Sequence, residues 1–320
     1  MSGHGDRGLL SRIAETLYWI GRYVERADDT SRLLDVSVHR LLEEPWRDED
    51  EACRALFAIL GIQHDRPERL SVATLIDRLA FDVTDPSAIA GCLRSVRESA
   101  RGVREIISSE AWECLNVTWH QLPARQAAAD RLGPHGYLRY VRERAALFFG
   151  LTDATMSRDD GWRFIVLGRS LERVDMTARL LAAHQHGDRR LLLQACGADE
   201  SFTRTHGGGG DMERVLEFLL LDRLFPRSVM HALATAEELL AELVPDTGRA
   251  GVTDAARAAV GRARMELTYA DADSLGDGLP ELLVGLQEAC VVASEAISER
   301  FFRHNAPGRW EREGQPWAGV

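Results

Sequence analysis

Lysine is missing from this sequence, so all 39 basic residues are arginine. That absence excludes a Schiff-base lysine, a pyridoxal phosphate attachment point and a P-loop lysine. Positive charge is also in deficit. Fifty acidic residues against 39 basic ones leave a formal charge of -11, which argues against an electrostatic grip on nucleic acid or an anionic membrane. Cysteine is sparse and scattered, at Cys53, Cys92, Cys114, Cys196 and Cys290, with no C-x-x-C pair. An odd, dispersed set reads as buried thiols in a reducing compartment. No uncharged apolar run reaches the length of a membrane span, and Met1 to Leu10 lacks the apolar segment of a secretory leader. The expectation is a soluble, cytoplasmic protein. No H-E-x-x-H or G-x-S-x-G pattern occurs, so the common zinc-protease and α/β-hydrolase signatures are absent.

Strand-like alternation is lacking as well, whereas apolar residues recur at helical spacing through almost the whole length. The 320 residues are therefore expected to form an all-α bundle of about ten to twelve helices. The first runs from about Leu9 to Glu44 and ends before Pro45. Shorter segments follow at 49–61 and 71–80. Asp85-Pro86 is expected to open a helix to Ser108, Ser109 the next toward Asp130, and Pro134 one to Phe149. Ser157 with Asp160 resembles a capping arrangement before a second long helix to His186. Gly207 to Gly210 read as a surface loop, since Asp211 and Met212 follow rather than Lys and Ser/Thr. Beyond it, Asp211, Phe225-Pro226, Thr253 and Pro280 are the expected openings of the last four helices, with Val244 to Val252 a loop. Residues 1–8 are expected to be disordered, 9–305 to form the helical domain, and 306–320 to be an irregular tail in which Trp310 and Trp317 point to docking.

The informative feature is a duplication. Gly21-Arg22-Tyr23-Val24-Glu25-Arg26-Ala27-Asp28-Asp29-Thr30-Ser31-Arg32-Leu33-Leu34 lies without a gap on Gly168-Arg169-Ser170-Leu171-Glu172-Arg173-Val174-Asp175-Met176-Thr177-Ala178-Arg179-Leu180-Leu181, with nine of fourteen positions identical. At about 100° per residue, Ile20, Val24, Ala27, Ser31 and Leu34 form a packing seam, matched by Leu167, Leu171, Val174, Ala178 and Leu181. Gly21, Glu25, Asp28 and Arg32 make a second stripe beside it, repeated by Gly168, Glu172, Asp175 and Arg179. Arg22 and Arg26, with Arg169 and Arg173, are expected to point away from the seam.

These stripes admit two readings. In one, Asp28–Arg32 and Asp175–Arg179 are i,i+4 ion pairs, and Glu25 and Glu172 complete a network between the helices. In the other, the stripes line a cleft in which carboxylates and arginines hold a zwitterion such as an amino acid or peptide end. There Gly21 and Gly168 would let a ligand or another backbone come close. A metal site is not expected, because the Glu-x-x-His pattern of dimetal carboxylate bundles is absent from both helices, and no cofactor is implied. Arg139, Arg142 and Arg144 read as surface pairing or a partner contact rather than a phosphate site. Arg227 and Ser228, after Pro226 at a helix start, form a second candidate site for an anion.

The opening Leu9-Leu10-Ser11-Arg12-Ile13-Ala14-Glu15-Thr16-Leu17-Tyr18-Trp19-Ile20-Gly21-Arg22-Tyr23-Val24-Glu25-Arg26-Ala27 resembles that of the bacterial Alpha-E domain family. The second copy and Leu221-Asp222-Arg223-Leu224-Phe225-Pro226-Arg227-Ser228-Val229 are similar to later motifs of the family. The resemblance implies a helical domain without an established reaction, encoded beside or fused to ATP-grasp ligases of circularly permuted type, with transglutaminase-like peptidases and a proteasome-related hydrolase in the same company. The expected role is a non-catalytic accessory of a peptide-forming or peptide-modifying system. The competing reading is an enzyme using Glu25, Glu172, Asp28 or Asp175 as acid or base. Oligomeric state is left open.

Overall fold

The computed structural model describes residues 7–62, 69–184, 188–207, 209–244, 254–271 and 275–302. The expected disordered start up to residue 6, the Val244–Val252 loop beyond its first residue, the Thr253 cap and the tail with Trp310 and Trp317 lie outside the described residues. Among those described there are thirteen α-helices and no strand.

The first half comprises α1 (Arg7–Glu43), α2 (Glu49–Ile59), α3 (Val72–Ile76) with a π-helical turn at Asp77–Phe81, α4 (Ile89–Gly102), α5 (Ser109–Leu132) and α6 (His135–Thr155). The second comprises α7 (Asp160–His184), α8 (Arg189–Ala195), α9 (Asp199–His206), α10 (Met212–Leu221), α11 (Val229–Leu243), α12 (Ala255–Thr268) and α13 (Leu279–Ile297), ending in a π-helical turn at Ser298–Phe302. Helices α1, α4, α5 and α6 pack as one four-helix layer, and α7, α11, α12 and α13 repeat it. The most extensive interface joins α1 to α7, so the two long helices form the spine shared by both layers.

The seam residues account for that spine. Ile20, Val24, Ala27, Ser31 and Leu34 are buried, as are Leu167, Leu171, Val174, Ala178 and Leu181. Gly21 and Gly168 set how closely the helices approach. A Cβ on Gly21 would stand 2.0 Å from the Ile165 carbonyl oxygen, and one on Gly168 would stand 2.1 Å from that of Tyr18. The contact is reciprocal, as an approximate twofold axis requires. Both glycines admit the opposite helix's backbone, which leaves no room for a ligand at the crossing.

Several helix starts differ from expectation because a side-chain cap competes with proline. Asp85-Pro86 does not open α4. Its start slips to Ile89, because Asp85 accepts from the Ser87 amide and closes a turn first. Pro226 likewise precedes a turn, and Ser228 caps α11 by accepting from the His231 amide. Asp159, rather than Ser157, accepts from the Trp162 amide at the start of α7. Ser108 caps α5 and Asp254 caps α12 in the same way. Helix α6 continues to Thr155 because nothing after Phe149 breaks it.

The duplication is wider than the fourteen residues that reveal it. Asp82 Oδ1 accepts from the amides of Thr84 and Asp85, and Asp222 Oδ1 accepts from those of Leu224 and Phe225. Pro86 and Pro226 follow at the same spacing. Further along the chain from each long helix, α2 and α8 end in matching left-handed glycines, Gly61 (φ 70°) and Gly197 (φ 61°). In each case the next residue's amide reaches back five residues, Ile62 to Phe57 and Ala198 to Leu193, which satisfies the helix end.

Gly21→Ala and Gly168→Ala should each cost about 3 kcal/mol or more in urea unfolding, because the backbones at the crossing must separate. Gly150→Ala, on an open face of α6, should instead gain up to about 1 kcal/mol.

Candidate functional site

The charged stripes meet across the spine, and the arginines are what join them. Arg22 Nε donates to Glu172 Oε2 (2.7 Å), and Arg26 donates from Nε to Oε1 (2.5 Å) and from a terminal nitrogen to Oε2 (3.2 Å). Arg173 answers with Nε to Glu25 Oε1 (2.6 Å) and a terminal nitrogen to Oε2 (3.2 Å). Each Glu-Arg dipeptide therefore gives its carboxylate to the other helix's arginines and receives the reverse. The expectation that these arginines point away from the seam fails: Arg22 is buried, and its long stem reaches around the helix, resting over the Trp19 ring at 5.6 Å. Arg22 also donates to Ser294 Oγ on α13, at 2.9 Å. Arg169, its counterpart, lies over the Phe149 ring and near Asp153 instead.

Both glutamates are 0% exposed. Burial alone would raise the Glu25 carboxyl, but the charges of Arg173 and Arg227 outweigh it and hold it at about 2. Burial opposes ionisation of Glu172 too, and Arg22 and Arg26 again prevail, keeping it below the usual range. The i,i+4 pairs are present: Arg32 Nε donates to Asp28 Oδ2 at 3.1 Å and Arg179 Nε to Asp175 Oδ2 at 3.0 Å. The guanidinium of Arg32 rests against Gly197 and that of Arg179 against Gly61, so each stripe ends on the left-handed glycine of the opposite half.

Arg227 and Ser228 are brought to the same place. Ser228 serves as the helix cap, accepting from the His231 amide, and also donates to the Asp222 carbonyl oxygen. Arg227 turns inward and pairs with Asp28, with Asp29 Oδ1 (2.6 Å) and with Glu25 Oε1 (3.1 Å). The sequence reading passed over Asp29, because its counterpart is Met176. Burial, reinforced by Glu25 and Asp28 and only partly offset by Arg227, pushes the Asp29 carboxyl up to about 7. Among the described residues no hydrogen-bond partner is found for its own buried Oδ2 or for the neighbouring Asp28 Oδ1, which also favours a proton bound at Asp29.

One turn beyond Arg32, Asp35 accepts from Arg142 (2.8 Å) and bonds His135 Nδ1 (2.7 Å), with His39 nearby. Arg142 thus has an intramolecular role rather than a partner contact. Arg144 does too, donating to Thr118 and to the Cys114 carbonyl. Asp35, His39 and His135 bring potential ligand atoms within 4.8 Å of one another, as do Glu25, Asp28 and Asp29, but arginines already hold carboxylates in both groups. All five cysteines are buried thiols.

The Glu-Arg dipeptide agrees with a family described as a predicted alpha-helical domain with a conserved ER motif, whose model matches residues 9–302. The chain belongs to the Alpha-E family. Alpha-E relatives include uncharacterized proteins of Mycobacterium bovis and Mycobacterium tuberculosis, each 27% identical over 313 residues and covering 86% of this chain. The chain spans 35% of the length of these curated relatives. No solved structure matches it.

The Asp29 proton has a definite sign. An acid whose pKa rises on folding binds its proton more tightly in the folded state, so stability falls as pH rises from about 4 toward about 7. Asp29→Asn should flatten that slope in unfolding titrations. Arg227→Gln should cost about 3–5 kcal/mol at pH 7 and steepen it, since three carboxylates lose their shared cation.

Proposed function

We propose that this Alpha-E chain is a binding and accessory module of a peptide-forming or peptide-modifying system, working beside an ATP-grasp amide-bond ligase rather than performing chemistry itself. The observation that carries this reading is the state of the motif glutamates. A general acid or base must exchange its proton near working pH and touch the substrate. Glu25 and Glu172 are buried, ionised and fully engaged by arginines. Asp29 holds a proton near neutrality, but Arg227 covers it and it is only 5% exposed. The group with the right proton affinity is thus closed off, and the groups at the centre are locked as anions.

The ligase as partner is supported by the family resemblance in the opening and later motifs. The relatives' greater length fits a module that works alongside other domains. A role in holding an amino acid or peptide is supported by the charged cavities flanking the spine, one of about 720 Å³ bordered by Arg32, Asp35, Arg40 and Asp188, and a smaller one beside Glu172.

Purification from the source cells under gentle conditions, followed by native mass spectrometry, tests this. The expected result is recovery with an ATP-grasp protein and faster ADP release by the pair than by the ligase alone. Turnover of a peptide substrate by the isolated chain, abolished by Glu172→Gln in a folded protein, would contradict it.

A further inference from the structure

The two halves are alike in framework and differ at one point. On one side of the spine, the Arg227 guanidinium fills the space between Glu25, Asp28 and Asp29. On the other side, the matching turn carries Ser87 in place of Arg227, since Asp82 and Pro86 correspond to Asp222 and Pro226. A cavity of about 100 Å³ lies there. Its charged walls are Arg26, Glu172, Asp175 and Arg179, the repeat partners of Arg173, Glu25, Asp28 and Arg32 around Arg227. Leu60, preceding Gly61, stands where Cys196 precedes Gly197, and Met176 stands where Asp29 does. The cavity is therefore the place an arginine side chain occupies in the other half.

One acceptor there, Asp175, lacks the second arginine that its counterpart has. Glu172 already holds two guanidiniums, Arg22 on Oε2 and Arg26 on both oxygens, just as Glu25 holds Arg173 and Arg227. Asp28 Oδ2 is met by Arg32 and Arg227, whereas Asp175 Oδ2 is met by Arg179 alone. Asp175 is only 8% exposed, and among the described residues no donor is found for its Oδ1. Asp175 and Arg179 also border a more open depression of about 410 Å³, walled by the half-exposed Val284, Val291 and Val292 of α13. A polar cavity thus adjoins an apolar shelf on which the neighbours of an inserted side chain could lie.

We infer that this cavity binds the guanidinium of an arginine side chain presented by a peptide, which takes the place that Arg227 fills in the opposite half. With Met176 in place of Asp29, and with Glu172 already paired to Arg22 and Arg26, the incoming group relies on Asp175, and a weaker hold suits a ligand that is released. Arg26 and Arg179 remain committed to Glu172 and Asp175. The ligand class gives content to the binding role proposed above and rests on it.

Calorimetric titration of the whole chain with acetyl-Val-Arg-Val amide tests this, beside the same peptide with citrulline, an uncharged isostere of arginine. One equivalent of the arginine peptide should bind, with citrulline weakening it about tenfold or more. Ser87→Arg supplies the missing side chain from within, so it should abolish binding and raise the Tm. Asp175→Asn should abolish binding in a chain whose circular dichroism remains helical. Free arginine binding as well as the peptide would assign the guanidinium to a free amino acid and overturn the apolar shelf. Equal binding of the citrulline peptide, binding that survives both substitutions, or preference for acetyl-aspartate would overturn the guanidinium site. Loss of peptide binding with ligase co-purification intact would remove this ligand and leave the accessory role standing.

Discussion

A carboxylate removed from water must be paired, and two such carboxylates govern this molecule. Glu25 and Glu172 lie at the crossing of α1 and α7, out of contact with solvent. Either one left alone would cost several kcal/mol, so the arginines of the opposite helix have to come with it. That requirement fixes the mutual register of the long helices. Gly21 and Gly168 bring the backbones close enough for Arg26 and Arg173 to span the gap. The apolar seam supplies the driving force for association, and the ion pairs select one alignment.

The remaining helices are arranged by what the spine leaves uncovered. Helices α4 and α6 cover α1, and α11 and α13 cover α7. The same turn chemistry leads into α4 and α11, yet the two turns deliver different side chains to the core. Arg227 closes one charged cluster with Asp29, and Ser87 with Met176 leaves the other open. One half carries an acid and a base, Asp29 and Arg227, where the other has Met176 and Ser87, so the difference is neutral in charge. The duplicated framework thus has one charged cluster closed by its own Arg227 and a second beside which a cavity lies.

The helical class and the central repeat were legible because periodicity and spacing are local properties. Asp28–Arg32 and Asp175–Arg179 followed from i,i+4 geometry alone. The cross-helix pairs were not legible in the same way. A helical wheel places Arg26 by its Cα, whereas its guanidinium lies several bonds away and goes where Glu172 is. Asp29 is not marked by the repeat, because identity between the copies is the signal and Asp29 stands where they differ. The start of α4 was misplaced because Asp85-Pro86 fits both a helix opening and a turn, and only the Ser87 amide's bond to Asp85 separates them. The wider duplication was visible in principle, since Leu79, Asp82, Pro86 and Leu93 match Leu219, Asp222, Pro226 and Leu233 at constant spacing.

The central claim is that reciprocal Glu–Arg pairing holds the spine together, and a double-mutant cycle measures it directly. Unfolding free energies of Glu172→Gln, Arg26→Gln and the double variant should be strongly non-additive, the double variant losing less than the sum by about 1.5 kcal/mol or more. Additivity within about 0.5 kcal/mol, with all three variants folded, would show that Glu172 and Arg26 act independently and would contradict the account.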